Sequence, residues 1–169
     1  LYTDDYRSGE RTFQLLTQAA GRAGRGDRPG EVVIQTYDPE HYAIEASAAQ
    51  DYEAFYEKEI RYRSLMGYPP VENLMAVLAA YEDEVLLEKA CKYLKEYILR
   101  IKGQAQLDVI GPASPGVDKI KDIYRRVIYV KAPEYRTLVV LKDRMEQYIE
   151  INSGFQKMRI QFDFNPMNL

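Results

Sequence analysis

Residue type and spacing first point to chemistry at Gln18-Ala19-Ala20-Gly21-Arg22-Ala23-Gly24-Arg25. Two guanidinium groups three residues apart, set among glycines at the end of an apolar-periodic stretch, can both reach one anion from the same side. Arginine keeps its charge at any physiological pH and grips phosphate oxygens with a planar fork of donors. Such a pair is the equipment of an arginine finger, which stabilises charge developing on a transferring γ-phosphate. The nucleotide cradle is missing. No G-x-x-x-x-G-K-[ST] occurs, and Asp83-Glu84-Val85-Leu86 mimics an acidic metal box only where a helix is expected to begin. Alone, the chain is expected not to hydrolyse ATP.

A second constellation is Lys119, Lys121, Arg125, Arg126 and Lys131, interleaved with Tyr124 and Tyr129. Cations mixed with aromatic faces suit single-stranded DNA, whose backbone is anionic and whose bases stack. The plainer reading is a solvated sheet edge: strand alternation divides the set, with Tyr124 and Arg126 on one face and Arg125, Tyr129 and Lys131 on the other. The formal charge of −3 hides the segregation. Residues 119–144 hold eight basic and three acidic side chains, while residues 37–60 hold seven acidic side chains and one lysine. With one cysteine and one histidine, neither a disulfide framework nor a zinc site of several Cys and His ligands can be assembled. Cys91, among Leu87 and Leu94, is expected to be a small packed residue, and His41 a hydrogen-bonding residue rather than a ligand.

The elements that must position these groups follow from periodicity. Ser8–Ala20 has helical spacing with Ser8 as a candidate cap, and Gly21 is expected to end it. Glu31–Tyr37 is β-branched and of strand length; Asp38-Pro39-Glu40 reads as an N-cap with proline at the first helical position. Asp51–Ser64 places Tyr52, Phe55, Tyr56, Ile60 and Arg63 near one helical face. Met66-Gly67-Tyr68-Pro69-Pro70 cannot continue that helix. Beyond it come a strand at 74–81, a helix at 83–102, strands at 106–110 and 124–132 around the loop Gly111–Gly116, a helix at 134–151 and a strand at 157–164. That β-α-β-β-α-β string predicts an α+β fold: the ferredoxin-like split βαβ, a four-stranded antiparallel sheet with two helices on one face.

Composition is consistent with this. Of 169 residues, 46% are hydrophobic and 29% charged, enough for a core and unlike a disordered chain. The longest apolar run falls far short of the roughly 20 residues a bilayer-spanning helix needs. The first residues, Leu-Tyr-Thr-Asp, read like the middle of a protein, so the chain is expected to be a fragment.

The Gln-x-x-Gly-Arg-x-Gly-Arg segment resembles motif VI of superfamily-two helicases. The wider run from Asp5 to Gly26 is similar to the bacterial primosomal protein N′ (PriA) family of replication-restart helicases. Gly30–Tyr42, Phe55–Ile60, Gly67-Tyr-Pro-Pro70, Gly111-Pro-Ala113, and Tyr124-Arg125 through Lys131-Ala-Pro133 extend the resemblance over nearly the whole chain. It implies a parent that is an ATP- and magnesium-dependent 3′ to 5′ DNA helicase of the bacterial cytoplasm. Its zinc-binding cysteines and Walker motifs would lie upstream, and neither cofactor is expected on this chain. Implied partners are forks, D-loops and single strands of DNA, single-strand-binding protein and other primosome proteins, with no membrane. By motif position Arg22 and Arg25 carry over as finger residues, with Gln18, Gly21 and Gly24 as nucleotide-sensing residues. Residues 1–45 would end the second helicase lobe, 46–70 would connect, and 71–169 would form the carboxy-terminal domain. A competing expectation makes that domain a docking module for single-strand-binding protein or primosome partners, without DNA affinity of its own.

Overall fold

The computed structural model describes residues 5–23, 30–117 and 119–167. The chain separates into two compact units, Leu1–Met66 and Gly67–Leu169.

The first unit is helical. Helix α1 spans Ser8–Ala23, α2 Tyr42–Ala49 and α3 Tyr52–Met66. Helix α1 does not stop at Gly21: glycine costs only about 1 kcal/mol in a helix interior, and Ala19, Ala20 and Ala23 around it are the best helix formers. The expected strand at 31–37 pairs with nothing among the described residues, and without a ladder partner a β-branched run stays merely extended. The cap of α2 is not Asp38. Residues 38–40 turn, and His41 accepts the Ala43 amide through Nδ1 at 3.2 Å. The small core joins Phe13, Ala43, Ala46 and Phe55. Phe13 and Phe55 stack with centroids 4.3 Å apart.

The second unit is the α+β domain the element order predicts. Strands β1 (Asn73–Tyr81), β2 (Asp108–Ala113), β4 (Ile123–Ala132) and β5 (Arg159–Phe164) lie in the order β2-β4-β1-β5, every pair antiparallel. Helices α4 (Glu84–Ile101) and α5 (Tyr135–Ile151) make the two crossovers. Two elements were not expected: a short 3-10 turn at Ser153–Phe155 after α5, and a hairpin strand before β4. Lys119–Ile120 forms a short strand, β3, that turns into β4 through Lys121 and Asp122, both at positive φ (48° and 62°). Two successive left-handed residues are what a tight hairpin turn requires.

Strand β1 is central, which explains why Leu74–Ala79 is apolar without alternation: both its faces are covered over most of its length. On the helix side Met75, Val77, Ile128 and Val130 meet Leu87, Leu94, Ile98, Leu138 and Met145, all buried. Each such side chain contributes about 1.5–3 kcal/mol of transfer free energy. Asp83 caps α4 by accepting the Leu86 amide at 2.9 Å. At the edge, Gly111 takes φ 102° where the register of β2 on β4 shifts, and Lys95 of α4 donates to its carbonyl.

Candidate nucleic-acid interface and arginine helix

Away from the helices, the second sheet face presents the even residues of β1 and the odd residues of β4, β5 lying alongside. Its rows follow from the register. Leu74 pairs with Lys131, Ala76 with Tyr129 and Asp163, Leu78 with Val127 and Gln161, and Ala80 with Arg125 and Arg159. Leu74 and Ala76 are buried, so this face is closed at their end. At the Leu78–Ala80 end a cavity of about 710 Å³ opens. Its lining includes Lys121, Arg125, Lys157 and Arg159 around Leu78, Ala80, Ile120 and Ile123, with Glu82 the one carboxylate among the described residues. Alanine between two arginines on neighbouring strands leaves a floor low enough for a planar group to lie between them. With strands about 4.8 Å apart, Arg125 and Arg159 stand roughly 10 Å from one another at the backbone. None of these four cations has an acidic partner among the described residues. Arg125 donates from Nη1 to the Val117 carbonyl at 3.4 Å, which aims the side chain along the β3 hairpin.

The sequence-derived set divides here. Lys121 and Arg125 line the cavity. Lys119, at the same hairpin, is held 3.0 Å from Asp122 and 4.7 Å from the Tyr124 ring, and hydrogen bonding to Asp122 raises its pKa. Lys131 lies on the same face at the far end, 4.1 Å over the Tyr68 ring; burial lowers its pKa, with Glu72 and Asp108 working against the shift. Arg126 points to the helix side, bound through Nη2 to Glu84 at 2.5 Å and through Nε to Glu88 at 2.9 Å. Burial opposes its charge, but those two carboxylates outweigh it and raise its pKa. Sequence reading did not include Lys157 and Arg159. The split βαβ topology seats the last strand beside β1, so two cations two residues apart at its start were the available signal.

In the first unit, α1 turns Phe13 inward and leaves Arg11, Gln14, Leu15, Gln18 and Arg22 exposed. Gln18 and Arg22 are four residues apart and share one helical face. Gly21 lies within the helix, whereas Gly24 and Arg25 lie outside the described residues. At its other end α1 meets a charged cluster. Arg63 of α3, buried, donates to Glu59 at 2.8 Å and to Glu10 of α1 at 2.8 Å, and the Tyr42 hydroxyl donates to Glu59 at 2.6 Å. Burial, aided by the Glu59 carboxylate, pushes the Tyr42 phenol well up, so it remains a donor. Burial works against the Arg63 charge, but the bonds to Glu10 and Glu59 outweigh it.

Residues 64–167 match the family model described as the primosomal protein N C-terminal domain. The chain belongs to the PriA family. Similarity extends across the first unit as well. Replication restart protein PriA of Bacillus subtilis (strain 168) is 36% identical over 170 residues, covering 98% of this chain and 20% of that protein. The protein of the same name from Synechocystis is 35% identical over 98% of this chain and 19% of its own length, and that from Chlamydia pneumoniae 32% over 99% and 22%. The chain therefore spans about a fifth of the length of these PriA relatives, and what it matches is their carboxy-terminal part.

Proposed function

We propose that this chain is the coupling and DNA-binding part of an ATP-dependent 3′ to 5′ DNA helicase that restarts stalled replication forks and assembles the primosome. The observation that carries this reading is the open end of the sheet, where Lys121, Arg125, Lys157 and Arg159 surround an apolar floor. Cations track a nucleic-acid backbone and an apolar floor accepts base faces, which is the combination single strands require. The PriA relatives are named for replication restart, and in this reading the segment carried by α1 is the nucleotide-responsive element of a motor, with Arg22 and Arg25 as fingers and Gln18, Gly21 and Gly24 as nucleotide-sensing residues.

The residues present do not fit a magnesium–nucleotide site or a zinc site. The sequence has no phosphate-cradling loop, and among the described residues no group of three or more His, Cys, Asp and Glu could hold a metal ion. ATP, magnesium and zinc belong in this reading to the remainder of a longer protein, acting in the bacterial cytoplasm with single-strand-binding protein and other primosome partners.

A second reading, a protein-docking platform, is favoured by the exposed Ile120 and Ile123 at the cavity rim. Fluorescence anisotropy of labelled single-stranded and forked DNA at low and moderate salt separates the two. DNA binding predicts an affinity falling steeply with salt and weakened at least 10-fold by the combined change Lys121→Ala, Arg125→Ala, Lys157→Ala and Arg159→Ala, with the salt slope shallower by about 0.7 for each phosphate contact removed. No binding even at low salt would leave the docking reading in its place.

A further inference from the structure

The charged cluster at the base of α1 is not explained by stability alone. Replacing a buried ion pair with packed apolar side chains is often neutral or stabilising, so Glu10, Glu59, Arg63 and Tyr42 are a costly way to join three helices. What such a cluster supplies is a defined geometry. Two of its bonds run between helices, Tyr42 of α2 to Glu59 of α3 and Arg63 of α3 to Glu10 of α1, and the bond from Arg63 to Glu59 links them within α3. The Arg63 guanidinium also lies 5.4 Å from the centre of the Tyr6 ring, just before α1 begins. Gly9 completes the joint. A Cβ there would come within 2.8 Å of both Glu59 Oε2 and the Tyr42 hydroxyl, so a larger residue would have to displace the hydrogen bond between them. Phe13, one turn on from Gly9, stacks on Phe55 of α3.

Twelve residues separate Glu10 from Arg22, about 18 Å of helix. A tilt of about 5° at the Glu10 end moves the far end by about 1.6 Å, and misplacement of a catalytic group by about 1 Å can cost on the order of 10²-fold in rate. We infer that Arg63 is a positioning residue for Arg22, fixing the base of α1 through Glu10 so that Arg22, at the far end of the same helix, meets the nucleotide at a set height and angle. This inference rests on the finger role proposed above. Arg63 itself touches no nucleotide.

The test uses the full-length protein and measures DNA-stimulated ATP turnover, the KM for ATP, DNA affinity and the melting temperature for Arg63→Ala, Arg63→Lys, Glu10→Gln and Arg22→Ala. Glu10 is partly exposed, so Glu10→Gln weakens the joint without burying an unpaired charge. The expected result is a kcat lowered about 10²-fold by Arg63→Ala and about 5- to 10-fold by Glu10→Gln, with KM and DNA affinity changed less than about 2-fold and Arg63→Lys recovering part of the loss. Arg63→Ala combined with Arg22→Ala should be no slower than Arg22→Ala alone, since Arg63 acts through Arg22. If Arg63→Ala fails to fold, Glu10→Gln at unchanged melting temperature decides. Normal kcat in Glu10→Gln and Arg63→Lys beside a crippled Arg22→Ala overturns the positioning role and leaves the finger intact. Normal turnover in Arg22→Ala overturns the finger reading itself.

Discussion

Arg125 and Arg126 are adjacent in the chain, yet strand alternation sends one to the cavity and the other to Glu84 and Glu88 on the helix side. Their substitutions should separate cleanly. Arg126→Ala leaves two carboxylates near one another without their shared cation and is expected to cost about 1–2 kcal/mol of stability, while DNA affinity stays within about 2-fold; urea titration with anisotropy on the same samples checks both. Arg125→Ala should do the reverse. Cys91 gives a second residue-level prediction. It is buried, and desolvation, reinforced by Glu88, pushes its thiol up from 9.0 to about 12. Below pH 9 the thiol is protonated whether the chain is folded or not, so its contribution is fully present there. As pH rises from 9 toward 12 the unfolded thiol ionises and the folded one does not, so stability falls, by at most about 1.4 kcal/mol per pH unit. Urea midpoints at pH 8 and pH 10.5 should therefore differ less in Cys91→Ala than in the unaltered protein; an identical difference would remove Cys91 from the account.

At the scale of elements, the β2 edge depends on one glycine. A Cβ on Gly111, at φ 102°, would stand 2.7 Å from the Val127 carbonyl of β4. Gly111→Ala is expected to destabilise the second unit by about 2 kcal/mol or more, through backbone strain and steric displacement of the ladder, read as a lower urea midpoint. The β-α-β-β-α-β order was legible because β1 carries an unbroken apolar run, α4 and α5 are amphipathic, and Asp83 is a recognisable cap. The β3 hairpin was not, because its turn is Lys-Asp rather than a glycine-containing pair and its strand has two residues. Helix α3 shows a different limit. The expected face held Tyr52, Phe55, Tyr56, Ile60 and Arg63; Phe55 and Arg63 are buried, but Tyr52 and Tyr56 are exposed and Glu59 completes the buried line, because paired charges can be buried where single ones cannot. Lys157 and Arg159 were left out of the expected interface although the predicted split βαβ order already seats β5 beside β1: cations were sought along one stretch of sequence, and these two join Arg125 only across strands.

For the molecule as a whole, the two units have unequal cores: four buried residues in the helical cluster against sixteen beneath the sheet, among the described residues. Amides of α1, α2 and α3 should accordingly exchange with solvent at least about 10²-fold faster than those of β1 and β4; equal protection would mean that the helical unit has stability that its own core does not account for. Amide chemical-shift mapping of this chain titrated with a single-stranded oligonucleotide tests the proposed DNA contact at the open end of the sheet. Changes are expected to concentrate at Ala80, Lys121, Arg125, Lys157 and Arg159 and to fade as salt rises; changes centred on α4 and α5 around Arg126, or none at low salt, would overturn the proposal.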